Sequence, residues 1–237
     1  MEIQALRRCL PCPAVCPSPP PAVLRQALGL EAGTPLGPAL LAGLSDPARD
    51  GLAALMQVLL CGEESAALTF NAHALRGADD AARRIWRGIA ADETLHEALL
   101  GHLVQALTDH GLPQPPQTKR AAQLFFMRLK SADAEIHFAR IAALDCLVTR
   151  VLAALQGRHS LLHGQAVLMR MLSRIRHDEG RHVRATRGFL LEAGAPAALL
   201  AAERLWVAEC FRHFLAPYAC AFDRVHVDPH ILMKCLH

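Results

Sequence analysis

Two short stretches carry residues whose types and spacing could do chemistry together: Ala91-Asp92-Glu93-Thr94-Leu95-His96 and Arg176-His177-Asp178-Glu179-Gly180-Arg181-His182. Both read Asp-Glu-x-x-His. Residues three apart on an α-helix are neighbours on one face, so each copy offers one carboxylate and one imidazole pointing the same way. Such ligands suit iron or manganese better than soft metals. A two-metal centre in a helix bundle needs one Glu-x-x-His from each of two helices and one further carboxylate from each of two others.

The elements that must position them are helical. A helix is predicted from 46 to 75, with Asp46 as cap and Pro47 at the first helical position. Its inward stripe is Leu52, Met56, Leu59, Glu63, Ala66 and Phe70, so Glu63 interrupts an apolar face, whereas Glu64 falls on the side of Gln57 and Asn71. A second helix starts after Asp79-Asp80 and stops at Gly111 and Pro113. Its inner face is Ile85, Ile89, His96, Leu99, Leu103 and Leu107, with Glu93 alongside.

After a proline-bearing break at 112–118 the helical pattern resumes to about 156, with room for a fresh start near Ser131. A further helix runs from about 160 or 164 to 193, with Leu168, Leu172, Ile175, Glu179, His182, Thr186 and Phe189 on one stripe. A fifth spans 197 to 215. The tail 216–237 shows no helical rhythm, and residues 1–45 read as a proline-rich wrapping or mobile arm with one short helix near 22–30.

Two carboxylates on the third helix compete to complete the set. Asp145 belongs to the stripe Met127, Ala134, Phe138, Ile141, Asp145, Val148, Leu152, Leu155, and precedes Glu179 by 34 residues, close to the 30 between Glu63 and Glu93. Matched separations put carboxylates at one height in a pair of helical hairpins. Glu135 has the longer reach and shares a face with the small residues Ala139, Ala142 and Cys146. Asp133 lies with Lys130, His137 and Arg140 on a wet side. Asp145 is favoured slightly, and both remain candidates.

Composition sets the outer limits. A chain of 237 residues that is 52% hydrophobic, with Ala and Leu dominant, can bury one core, and strand signals are nearly absent. The net charge of +3 is too mild to argue for nucleic acid by itself. No stretch reaches about 18 uninterrupted apolar residues, and Met1 to Arg8 lacks the apolar core of a signal peptide, so no membrane and a cytoplasmic location are expected. Cys9, Cys12 and Cys16 have a metal-compatible spacing but no partner pair and read as free thiols in the leader.

Taken in order, Glu63, Glu93-x-x-His96, Glu135 or Asp145, and Glu179-x-x-His182 resemble the ferritin-like di-iron carboxylate superfamily over roughly 46–193. The resemblance implies an all-α ferritin-like four-helix bundle at 46–215, with an additional C-terminal helix, a proline-rich arm at 1–45 and a tail at 216–237. It also implies two iron ions, with manganese as the alternative, ligated by Glu63, Glu93, the third-helix carboxylate and Glu179 and capped by His96 and His182. Asp92 and Asp178 look like the acids that orient ligand histidines in di-iron hydroxylases and N-oxygenases.

The implied activity is O₂-dependent hydroxylation or N-oxygenation of a small or carrier-bound substrate, with a reductase or ferredoxin as electron donor and room for a homodimer. The alternatives are a tRNA-base hydroxylase and a ferroxidase or rubrerythrin-like protein. Arg174, Arg176, Arg181, Arg184 and Arg187 could meet tRNA phosphates but read more readily as a solvated face. Ile175 stands where the p-aminobenzoate N-oxygenase branch adds a histidine, and Tyr218, the single tyrosine, lies beyond the fourth helix, against a radical-generating role.

Overall fold

The computed structural model describes residues 19–76, 79–109 and 116–235, so Cys9, Cys12 and Cys16 lie outside the described residues. Among these the chain is helical throughout, without a strand. Four long helices, α3 (Asp46–Arg76), α4 (Asp80–Asp109), α6 (Ala134–Leu155) and α7 (Ala166–Glu192), form the body of a bundle. α3 pairs with α4 and α6 with α7, and α4 meets α7 where the two hairpins join.

Local chemistry explains the boundaries. Asp79 Oδ1 accepts the Ala82 N–H at 2.7 Å and opens α4, and Asp133 Oδ1 does the same for Ile136 at 3.1 Å to open α6. The fresh start near Ser131 is therefore real, and α5 (Pro116–Leu129) is a separate crossover packed on α3 and α8. α3 opens at Asp46, and the Arg49 N–H donates to the Ser45 carbonyl, so Ser45 rather than Asp46 takes the cap position. α8 (Ala197–Leu215) lies against α6, where Arg140 bonds Glu203 at 2.7 Å and sits 4.1 Å from the Trp206 ring centroid.

Of the two alternatives for the arm, residues 19–45 follow the wrapping one: α1 (Pro21–Ala27) and α2 (Leu36–Leu41) bury Leu24, Leu36, Leu40 and Leu41 in the main core, and Arg170 holds the Leu28 carbonyl at 2.6 Å. Several other expectations need correction. The tail also folds, into a 3₁₀ turn at Ala216–Tyr218 and the helices α9 (Ala219–Arg224) and α10 (Pro229–Cys235), the last capped by Asp228. α9 packs on α3 so closely that a Cβ at Gly51 would fall 2.6 Å from the Ala221 carbonyl oxygen. Ile85 and Met127, placed on inward stripes by periodicity, are 48% and 64% exposed, and Gln57, read as solvated, is buried.

The core divides into two apolar clusters. The larger takes Leu52 to Met56, Leu99 to Leu107, Leu147 to Leu155 and Leu168 to Ile175; the smaller takes Phe70, Ala74, Trp86, Ile89, Ala90, Phe138, Ala139 and Leu190. On every long helix the candidate ligands fall between the two. α3 alone among the described residues is long and apolar enough to cross a membrane, with a mean hydropathy of 1.3, but half of that stretch is buried inside the bundle and Glu63 sits within the helix.

Candidate metal centre

Between the two clusters lies a buried polar layer. Glu63, Glu93, His96, Asp145, Asp178, Glu179 and His182 are each less than one-tenth exposed, and both imidazoles are fully covered. Ligand atoms of Glu63, Glu93, His96 and Glu179 lie within 4.8 Å of one another. Asp145 and His182 border this set.

The two histidines are used alike. His96 Nδ1 faces Glu63 Oε2 at 3.3 Å, Glu93 Oε2 at 3.4 Å and Glu179 Oε1 at 4.0 Å, while His182 Nδ1 faces Glu93 Oε1 at 3.1 Å and Glu179 Oε2 at 3.8 Å. Glu93 and Glu179 thus each present one oxygen to either imidazole. On the far side, His96 Nε2 meets Asp178 Oδ2 at 3.0 Å and His182 Nε2 meets Asp92 Oδ2 at 3.3 Å. The acid of each motif grips the histidine of the other, tying α4 to α7. An acceptor on Nε2 fixes the ring and leaves the Nδ1 lone pair for a cation.

Arg181 completes this grip from the solvated face on which the sequence reading placed it, a role that reading did not assign. It donates to Asp178 Oδ1 at 2.6 Å and Asp92 Oδ2 at 3.1 Å. Its position three residues after Asp178 was the available signal. His177, by contrast, is exposed. Glu135 stands half-buried in the first turn of α6, ten residues from Asp145, about 15 Å along the axis. The structure brings Asp145 to the cluster and leaves Glu135 outside it.

The electrostatics are those of a crowded, buried acid cluster that retains protons. Burial, then the Glu93 charge, pushes Glu63 up to about 8; burial takes Asp145 to about 8, and burial with the charges of Glu93, Asp145 and Glu63 raises Glu179 well above the usual range. Burial would raise Glu93 too, but the Glu63 proton and both imidazoles hold it low. His96 and His182 are raised against the effect of burial, His96 chiefly by Asp178 and His182 by Asp92 and Glu93, the latter to about 9. Asp178 is held low by His96 and Arg181, although burial opposes this.

Three buried atoms in this layer lack a hydrogen-bond partner: Glu93 Oε2, Asp145 Oδ2 and His182 Nδ1. His182 Nδ1 is near Glu93 without the geometry of a hydrogen bond. Buried polar atoms left unpaired are costly, and three in one buried layer fit partners of another kind, such as cations. Four carboxylates and two imidazoles are a donor set for two hard or borderline divalent ions, so the cluster is compatible with a di-iron site.

A cavity of about 110 Å³ adjoins the carboxylates, between α3 and α6 and under α5 and α8; Glu63, Glu93, Asp145 and Glu179 form part of its wall. His137, expected on a wet side, lines it instead. No protein-family model, curated protein or solved structure matches this chain.

Proposed function

We propose that this chain is an O₂-dependent non-haem di-iron oxidoreductase with a ferritin-like bundle, hydroxylating or N-oxygenating an organic substrate. The observation that carries the reading is the pairing of a buried carboxylate and imidazole cluster with an apolar cavity that shares its wall. A purely structural polar cluster has no use for such a cavity. Two iron ions, held by Glu63, Glu93, His96, Asp145, Glu179 and His182, would supply the capacity to activate O₂.

The roles of the chain's own residues follow from their placement. Asp92 and Asp178 hold the Nε2 protons of His182 and His96, so neither ring turns. Arg181 neutralises both acids. Phe70, 6.3 Å from the His182 ring and stacked on Trp86, keeps water from that side. Asp145, buried on α6, borders both the carboxylate cluster and the cavity, so the candidate ligands and the cavity share this residue.

The test is to load the protein anaerobically with Fe(II), measure bound metal, and follow absorbance by stopped flow after mixing with O₂. About two irons per chain and an O₂-dependent transient are expected. Trace metal only would sink the proposal. Direct conversion to a mineral-like ferric product would replace it with a ferroxidase.

A further inference from the structure

Resting on that reading, we infer that the cavity takes an elongated apolar molecule with one anionic head group, the head at Lys130 and the body running past Asp145 toward Phe222. The lining reaches from Leu55 to Phe70 on α3 and from His137 to Leu155 on α6. At about 1.5 Å per residue the lining extends along the helices for roughly 20 Å, with the carboxylates near its middle. It suits a chain rather than a compact ring system.

Polarity is graded along it. The far end is closed by Leu55, Leu155, Leu215 and Phe222, all buried. At the near end Lys130 is the one exposed residue of the lining, which marks the entrance. Among the described residues no carboxylate pairs with Lys130. Beside it the buried Nδ1 of His137 has no hydrogen-bond partner, and burial favours the neutral imidazole.

A cationic molecule would meet Lys130 on entry, and a polyhydroxylated one would find too few polar partners along the walls. A nucleic acid would need more cations, and none of the α7 arginines lines the cavity. An apolar body with one negative end matches both ends at once.

The test is calorimetric titration of the metal-free and the anaerobic Fe(II)-loaded protein with straight-chain carboxylates from hexanoate upward, and with alkyltrimethylammonium ions of the same tails. Saturable binding is expected, tightening about fourfold per methylene until the tail reaches Phe222 and then levelling off. The ammonium series should bind at least about tenfold more weakly. Lys130→Glu, at an exposed position, should weaken carboxylate binding about five- to tenfold, and Ile141→Trp, near the entrance, should abolish it.

Absence of saturable binding, equal affinity for the two head groups, or unchanged binding in both variants would overturn the inference. The two readings fail separately. Iron uptake and O₂ reactivity without amphiphile binding would refute the ligand class alone, whereas binding by a chain that takes up no iron would refute the oxidoreductase alone.

Discussion

Around His96, Glu63, Glu93 and Glu179 converge within 4.8 Å, and the ring is held by an Asp178 that is itself fixed by Arg181 at 2.6 Å and flanked by Arg174 at 3.7 Å. Around His182, Glu93 and Glu179 are again present, but α6 supplies Asp145, one carbon shorter than Glu63, whose Oδ2 has no hydrogen-bond partner. The orienting acid there, Asp92, is more open to solvent, with a side chain 19% exposed against 6% for Asp178. The motifs are alike; the halves they build are not. One half has its candidate donors gathered, and the other holds a buried aspartate oxygen without a hydrogen-bond partner.

The comparison can be broken outright at the residues both halves share. Glu93→Ala and Glu179→Ala should each remove nearly all bound iron, from about two per chain, while circular dichroism reports an intact helical fold. Two irons retained by both variants would end the metal assignment.

Asp145→Asn separates the halves. It should leave about one metal per chain, held around His96, whereas Glu63→Gln should weaken the tighter of two resolved binding events. Loss of both ions from Asp145→Asn would mean that the halves fill as one unit.

The orienting acids sharpen the contrast further. Asp178→Asn and Asp92→Asn should each cost about 10–100-fold in metal affinity, with Asp178 at the upper end because it is the more buried and more tightly held. Equal losses in titrations with Fe(II) would remove the asymmetry.

The smallest effect concerns protons. Glu63 and Asp145 rise to about 8 and His182 to about 9, from ordinary values of 4.5, 3.8 and 6.5. The folded metal-free chain therefore binds more protons than the unfolded one, and this contribution to stability is lost as pH rises through 8 and 9. Calorimetric melting temperatures of the metal-free protein should fall from pH 7 to 9. Bound metal, which displaces those protons, should flatten or reverse the trend.

Much of this was legible in the sequence because it depends on period and type. Glu63 stood out as a charge on an apolar stripe, the doubled Asp-Glu-x-x-His placed two imidazoles on inner faces, and matched separations favoured Asp145. What escaped depended on the distance between helices. Ile85 fits the inner stripe of α4 by period, yet the neighbouring helices leave it exposed and Trp86 takes the interior place. His137 looked solvated beside Lys130 and Arg140, and only the approach of α3 and α5 turned its surroundings into a cavity wall. The docked arm and tail escaped because short, proline-interrupted helices owe their order to the surface they land on rather than to their own pattern.

The close approach of α9 to Gly51 has a bearing on how the molecule is made. Residues 219–224 leave the ribosome after every helix that carries a candidate ligand, so the ligand-bearing helices can find one another while the cavity still lacks the wall that Phe222 supplies. A side chain at position 51 would push away the short helix that carries Phe222, so a single missing methyl group also keeps the far end of the cavity closed.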